Sequence, residues 1–147
     1  MRLQQFINEG KEYVGYFSTS KRFKKGDFLK RKLSTNETEV FAEKIRKEKY
    51  PGKPSRIGAL FVAPTFAAAK EWAFHGGTVY KVKITGKVHL ADGEVWTDID
   101  TAIEDNDLKL AEKYAIQYWK GEKPFNRLLE YIIDGKVEIL GKVTKWD

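Results

Sequence analysis

The sequence has no cysteine and only two histidines among its 147 residues. The absence of cysteine excludes disulfide bonds, thiol nucleophiles and thiolate metal sites. The two histidines, His75 and His89, lack the i, i+4 spacing of a zinc pair on one helix face. Because a metal site usually needs three or four clustered ligands, we predict that the protein has no metal site and that both histidines are surface or local structural residues.

Long apolar runs are also missing. No stretch approaches the roughly 20 apolar residues that span a bilayer, and the first ten residues contain no apolar core of the kind found in secretory signals. These absences predict a soluble protein without a membrane partner, located in the cytoplasm or inside a virus particle.

Aromatic and basic residues, by contrast, are plentiful. Nine Phe, seven Tyr and four Trp supply material for a core, and the length fits one domain of about 100–150 residues. The net charge of +6 is uneven, because residues 1–56 carry 15 Lys and Arg against 7 Asp and Glu. The densest basic stretch, residues 21–32, can neutralise phosphates of a nucleic acid. The alternative is a solvated loop face without a partner.

Strand and helix patterns alternate along the chain with mostly short links. The patterns predict strands over 13–19, 59–63 and 78–84, and helices over 37–49, 66–73 and 108–119. Ser34 is the predicted N-terminal cap of the first helix. Asp134-Gly135 predicts a hairpin turn between two strands over 128–133 and 136–143. We therefore predict an α+β fold in which two small β-sheets pack together, with a few peripheral helices.

Glu130 lies inside the otherwise apolar segment 128–133. A carboxylate on an apolar strand face is costly unless it has a partner or reaches a wet cleft. Glu130 is therefore a candidate functional residue. The competing interpretation is an edge strand, in which a glutamate blocks pairing with another chain.

Three short stretches carry a resemblance to a known family. They are Tyr16–Ser20, the segment Leu60–Thr65 with the alanine-rich helix and strand that follow it, and Leu129–Ile133. Their order resembles that of the ADP-ribosyltransferases, in particular the branch with a His-Tyr-Glu site. The second and third stretches, with the ending Ile139–Trp146, are also similar to the small rifamycin-inactivating ADP-ribosyltransferases. The matched stretches cover about a third of the chain.

The resemblance implies a fold that binds NAD, as substrate, between two small sheets. It makes Glu130 the catalytic carboxylate that stabilises an oxocarbenium-like ribose, with Asp92 as the competing acid of the rifamycin-type branch. It makes Phe61 the ring that stacks on nicotinamide. The remaining residues that it implies for NAD binding are Tyr16, Phe17, Ser18, Thr19 and Thr65. The chain departs from the family pattern where Phe17 replaces the first-strand His or Arg and Phe61 replaces the middle Tyr.

The N-terminal stretch Gln4–Gly10 is similar to the capsid-targeting peptides of internal head proteins in T-even-like phages. This resemblance implies cleavage between Glu9 and Gly10, with a targeting peptide over 1–10 and a single ADP-ribosyltransferase-like domain over 11–147. It also implies packaging in the phage head with DNA, followed by injection into the host cytoplasm. The alternative is an ordinary short amphipathic start to the domain.

Together these observations predict a phage internal head protein with mono-ADP-ribosyltransferase activity, whose target is a host protein or nucleic acid. One alternative is a non-enzymatic packaged protein that binds DNA or inhibits a host defence protein. Another is a different enzyme on the same fold, such as an RNA 2′-phosphotransferase.

Overall fold

The structure is a computed structural model that describes residues 12–31, 33, 35–72, 77–121 and 128–143. These residues form an α+β fold, as predicted, with four strands and four helices. In chain order the elements are β1 (Glu12–Thr19), α1 (Glu37–Lys49), β2 (Leu60–Val62), α2 (Phe66–Trp72), β3 (Thr78–Asp92), α3 (Gly93–Glu104), α4 (Leu108–Lys120) and β4 (Leu129–Lys142). None of the described helices is long and apolar enough to cross a membrane.

All four strands belong to one antiparallel sheet in the order β1-β3-β4-β2. The sheet curls until its two outer strands touch, because Tyr16 of β1 pairs with Ala63, the residue that follows β2. Two backbone hydrogen bonds of 2.8 Å join these residues. The predicted pair of packed sheets is therefore wrong for the described residues, which form one curled sheet whose edges meet.

The predicted hairpin at Asp134-Gly135 is also wrong, because β4 runs through this dipeptide without turning. Gly135 lies opposite Gly86 in the middle of the long β3–β4 ladder. A Cβ atom on either glycine would overlap the backbone of the other strand. The two glycines therefore permit a close approach of bent strands. The three short strands predicted over 78–84, 128–133 and 136–143 are parts of two long strands, β3 and β4.

The predicted helices agree closely with the structure. The helix predicted over 37–49 is α1, although its N-terminal cap is Asn36, whose side chain accepts a hydrogen bond from the Glu39 amide at 2.8 Å. Ser34, the predicted cap, lies outside the described residues. The acidic stretch after β3, over which no helix is predicted, forms α3.

The core has two main parts. One fills the inside of the curled sheet and the other joins its far end to α1, α3 and α4, where the Trp119 indole donates to the Ala42 carbonyl at 2.9 Å. A smaller cluster packs α2 against the point where β1 and β2 meet. The residues of the first part are Leu60, Val62, Tyr80, Val82, Ile84, Ile133, Val137 and Ile139. This arrangement leaves a gap between α2 and the sheet edges.

Candidate functional site

A cleft of about 170 Å³ lies where the two sheet edges meet α2. Three elements of the sheet and one helix supply its walls. The lining residues are Tyr16, Phe17, Ser18, Phe61, Val62, Ala63, Ala69, Trp72 and Glu130. Aromatic and small apolar side chains dominate, with the hydroxyls of Tyr16 and Ser18 and one carboxylate, which is the composition typical of a ligand site.

The walls of the cleft are tied together by hydrogen bonds. The Ser18 hydroxyl donates to the Ala69 carbonyl and joins β1 to α2. The Trp72 indole donates to the Leu129 carbonyl at 3.0 Å and joins α2 to β4. Because these bonds and the Tyr16–Ala63 bridge connect every wall, the cleft is a preformed feature of the fold.

Glu130 belongs to a buried ionic network centred on Arg56. The Arg56 guanidinium donates to Glu130 Oε1 at 3.0 Å and to both carboxylate oxygens of Glu39 at 3.0–3.2 Å. It also donates to the Tyr118 hydroxyl at 2.6 Å, and Tyr118 donates to Glu130 Oε1 at 3.3 Å. The side chains of Arg56, Glu39 and Glu130 are only 13%, 8% and 14% exposed.

Aromatic rings enclose the guanidinium of Arg56. Its central carbon lies 3.7 Å from the ring centre of Trp96 and 4.7 Å from that of Phe61. Such contacts attract a cation electrostatically, most strongly when water is excluded. Phe61 therefore connects the two features, since it contacts Arg56 and also lines the cleft.

The network contains one guanidinium for two carboxylates. Burial raises the pKa of Glu130, and the Arg56 charge and the hydrogen bonds from Arg56 and Tyr118 limit that rise. Burial alone lowers the pKa of Arg56, but Tyr118, Glu130 and Glu39 raise it above its ordinary value, so Arg56 stays charged. Burial also raises the pKa of Tyr118, which remains a neutral phenol. Ionised Glu130 therefore leaves an excess negative charge beside the cleft.

Only one oxygen of Glu130 is engaged by other described residues. Both of its hydrogen bonds go to Oε1, one from Arg56 and one from Tyr118. The side chain nevertheless lines the cleft. The bonds to Oε1 fix the orientation of the carboxylate, and Oε2 has no hydrogen-bond partner among the described residues.

The structure brings together five of the eight residues predicted for catalysis and NAD binding, namely Tyr16, Phe17, Ser18, Phe61 and Glu130. The other three do not line the cleft. Thr19 accepts from the Lys21 amide, and Thr65 caps α2 by accepting from the Ala68 amide. Asp92 caps α3 by accepting from the Glu94 amide at 2.9 Å. Between the two candidate acids, the position in the cleft belongs to Glu130.

Sequence reasoning missed Arg56, Glu39, Tyr118 and Trp96. A buried Glu130 requires a partner, but nothing in the sequence distinguishes Arg56 from the other 26 Lys and Arg residues. The Glu37–Lys49 helix pattern did not single out Glu39 either. Arg56 is identified as the partner of Glu130 only in the three-dimensional structure, where the loop before β2 contacts β4.

The described histidine, His89, has a structural environment. It is buried, stacks on Trp119 and lies 3.0 Å from the Tyr118 carbonyl. Burial and the nearby Lys53 lower its pKa to about 4, so the ring is neutral. The described residues contain no group of three or more potential metal ligands. His75, Glu9 and Gly10 lie outside the described residues.

A family model described as "Protein of unknown function (DUF2441)" matches residues 4–145, nearly the whole chain. No curated protein matches the sequence. The family match includes residues 4–10, and the targeting peptide predicted there stays a prediction.

Proposed function

The chain belongs to the DUF2441 family, and we propose that it is a mono-ADP-ribosyltransferase that moves ADP-ribose from NAD to a macromolecule. The supporting observation is the cleft, in which Tyr16, Phe17 and Phe61 lie beside the carboxylate of Glu130. A flat cationic ring and an anchored carboxylate are the two partners that this reaction needs in one place.

The aromatic walls suit the nicotinamide end of NAD. Flat rings stack on Phe and Tyr with a gain beyond simple burial. The Ser18 hydroxyl, which donates to Ala69, retains lone pairs that can accept from the nicotinamide amide. A volume of about 170 Å³ is below the 300–1,000 Å³ typical of larger ligand sites. The cleft is therefore proposed to hold the nicotinamide ring, with the rest of NAD outside it.

The excess negative charge suits the chemistry. In the reaction the bond between the nicotinamide nitrogen and ribose C1′ breaks, and its electron pair leaves with neutral nicotinamide. An acceptor oxygen or nitrogen forms the new bond to C1′ and releases its proton to solvent. Positive charge develops on the ribose in between. Glu130 would stabilise that charge through Oε2, in a site where water is largely excluded.

Arg56 is assigned a positioning role in this scheme. Its bond to Glu130 Oε1 fixes the carboxylate, and the Glu39 carboxylate neutralises the arginine. Without Glu39, Arg56 would cancel the charge of Glu130. With Glu39 present, ionised Glu130 keeps its full effect on a cation in the cleft.

The test is transfer from labelled NAD in a host lysate, measured with the full chain. Glu130→Gln should lower transfer about 100-fold, the scale found when one transition-state contact is removed. Glu138→Gln is the matched control, since Glu138 is in the same strand but pairs with Lys83 away from the cleft. Its activity should stay within twofold of the wild type. Wild-type protein that neither labels a target nor consumes NAD would refute the proposal.

The cellular setting is a separate proposal that depends on residues 4–10. We propose that the chain is packaged in a phage head and acts in the host cytoplasm after injection. Mass spectrometry of the protein from purified particles should then find a chain that begins at Gly10. A chain that retains Met1 to Glu9 in the particles, or is absent from them, would contradict this setting.

A further inference from the structure

Backbone hydrogen bonds attach the basic stretch, of which the structure describes residues 21–31, to the sheet. Its residues 26–29 run along the outer edge of β4, beyond the short strand β2. Gly26 donates to the Ile139 carbonyl and Leu29 to the Val137 carbonyl, and Ile139 donates back to the Asp27 carbonyl, all at 2.8–2.9 Å. The backbone of this stretch therefore extends the sheet and holds its side chains in fixed places.

The charges on this stretch are nearly all of one sign. Residues 21–31 contain six basic residues and one acid, Asp27. Asp27 is engaged locally, since its carboxylate accepts from the Lys24 amide at 2.7 Å. Of the neighbouring acids, Asp134 pairs with Arg31 at 3.5 Å and Glu138 with Lys83. The exposed basic residues of the stretch are Lys21, Arg22, Lys24, Lys25, Lys30 and Arg31.

An exposed aromatic ring lies among these cations. Phe28 is 52% exposed although its backbone forms a bridge with Glu138 of β4. Beside it is a groove of about 360 Å³ lined by Phe28, Leu29, Arg31, Leu60, Gly135 and Lys136. The exposed Phe28 ring provides a stacking surface, and Arg31 and Lys136, which line the groove, can contact phosphates.

The same stretch adjoins the cleft. The Phe23 ring packs edge-on against Phe17, which lines the cleft, with 6.2 Å between ring centres. The Phe23 amide donates to the Tyr80 hydroxyl at 3.1 Å. Phe23 therefore joins this stretch to β1, which forms one wall of the cleft.

We propose that this surface, formed by residues 21–31 and Lys136, binds single-stranded nucleic acid. The cations neutralise phosphates and release counterions, and Phe28 stacks on an unpaired base, which a duplex does not offer. Charge complementarity favours this partner, and the exposed ring favours a single strand over a duplex. If the proposed transferase function holds, the bound strand is the acceptor of ADP-ribose.

The experiment measures fluorescence anisotropy of labelled 12-nucleotide DNA and RNA strands with the full chain, without NAD. Lys24→Gln/Lys25→Gln should weaken binding about tenfold at 100 mM salt and reduce the salt slope by roughly one to two. Phe28→Ala should weaken binding of single strands about tenfold and leave duplex binding unchanged. Lys109→Gln/Lys113→Gln, which removes the same charge from exposed positions on α4, is the matched control and should bind like the wild type.

Equal losses in the α4 control would overturn the proposal, because binding would then follow net charge alone. So would stronger binding to vesicles of anionic phospholipid than to either strand. Binding is measured without NAD and with Glu130→Gln as a further variant, so it is independent of the transferase. A chain that binds strands but transfers nothing supports this surface and refutes the proposed function. Transfer to lysate proteins and not to the bound strand removes only the acceptor assignment.

Discussion

Arg46 and Arg56 are buried to nearly the same extent, with 12% and 13% of their side chains exposed, but their neighbours differ. Arg46 has one carboxylate partner, Glu43, whose two oxygens accept from Nε and Nη2 of the guanidinium at 2.8–2.9 Å. Nη1 of Arg46 donates to the carbonyls of Pro51 and Lys53 in the loop after α1. Arg56 has two carboxylate partners and adjoins a cleft.

The difference separates a structural ion pair from a candidate site. The Arg46 pair is balanced in charge, and it fastens the end of α1 to residues 51–55. The Arg56 network carries a second carboxylate that local pairing does not require. Buried excess charge costs stability, and groups with perturbed pKa values in a cleft are candidates for function. Four experiments test this contrast.

The largest expected effect is that of Arg56→Met. It leaves Glu39 and Glu130 buried without a cation, which should cost about 3–5 kcal/mol in the free energy of unfolding. Arg46→Met should cost about 1–2 kcal/mol, because it leaves one carboxylate without a cation instead of two, and the Ser55 hydroxyl still donates to that carboxylate. Urea unfolding monitored by circular dichroism measures both. If Arg56→Met prevents folding, Arg56→Lys, which keeps the charge but not the fork of donors, should still be destabilised more than Arg46→Lys. Equal costs at the two sites would contradict the contrast.

Replacing the glutamates at neutral pH should give different results. Glu43→Gln breaks a balanced pair and should cost about 1–2 kcal/mol. Glu130→Gln removes an excess buried charge while Glu39 still pairs with Arg56, so stability should change by less than about 0.5 kcal/mol. Thermal and urea unfolding of the two variants provide the comparison. A larger loss in Glu130→Gln would show that this carboxylate is there for stability.

The two glutamates should also respond to pH with opposite sign. The pKa of Glu43 is lowered by its bond to Arg46, so its stabilisation is present above the ordinary pKa of 4.5 and is lost as pH falls through the lower folded value. The pKa of Glu130 is raised by burial. The folded state then holds the proton more tightly, and stability falls as pH rises from 4.5 through the higher folded value.

Urea midpoints between pH 3 and 8 measure these slopes, and each Glu→Gln variant should remove only its own. Over the same range, NAD-dependent transfer should rise with pH as Glu130 ionises. Transfer that falls as pH rises above 4.5 would assign the reactive form to the protonated acid and contradict the proposed role.

Within the balanced pair, Ser55→Ala should have a smaller effect than Glu43→Gln. The Ser55 hydroxyl donates to Glu43 at 2.8 Å, and its loss should cost about 1 kcal/mol. Transfer from NAD should not change, because Ser55 belongs to the balanced pair. A fall in transfer without a fall in stability would mean that the two networks are coupled through the loop over 51–56.

The parts of the fold that depend on local pattern were predictable. The bounds of α1, from Glu37 to Lys49, agree with the prediction because breakers and cap residues flank a helical pattern. The hairpin predicted at Asp134-Gly135 is wrong because the local turn signal competes with a long-range contact. Gly135 is needed opposite Gly86, where two strands come too close for side chains.

The candidate site was predictable in part for a similar reason. Glu130 was conspicuous as a charge in an apolar strand, and Phe61 came from a resemblance between short stretches. Arg56 carries no local signal, since its role arises from Glu39, Trp96 and Glu130, which are distant in sequence. Partners of a buried charge that are distant in sequence can be identified only from a three-dimensional structure.

The bridge between Tyr16 and Ala63 has a consequence for association. Open strand edges offer backbone groups to other chains and promote aggregation. Here the backbone groups of Tyr16 and Ala63 pair with each other. At this point the two edges of the sheet are therefore not open to strands of other chains. Ala63→Pro would remove the amide donor of the bridge and should increase self-association on warming.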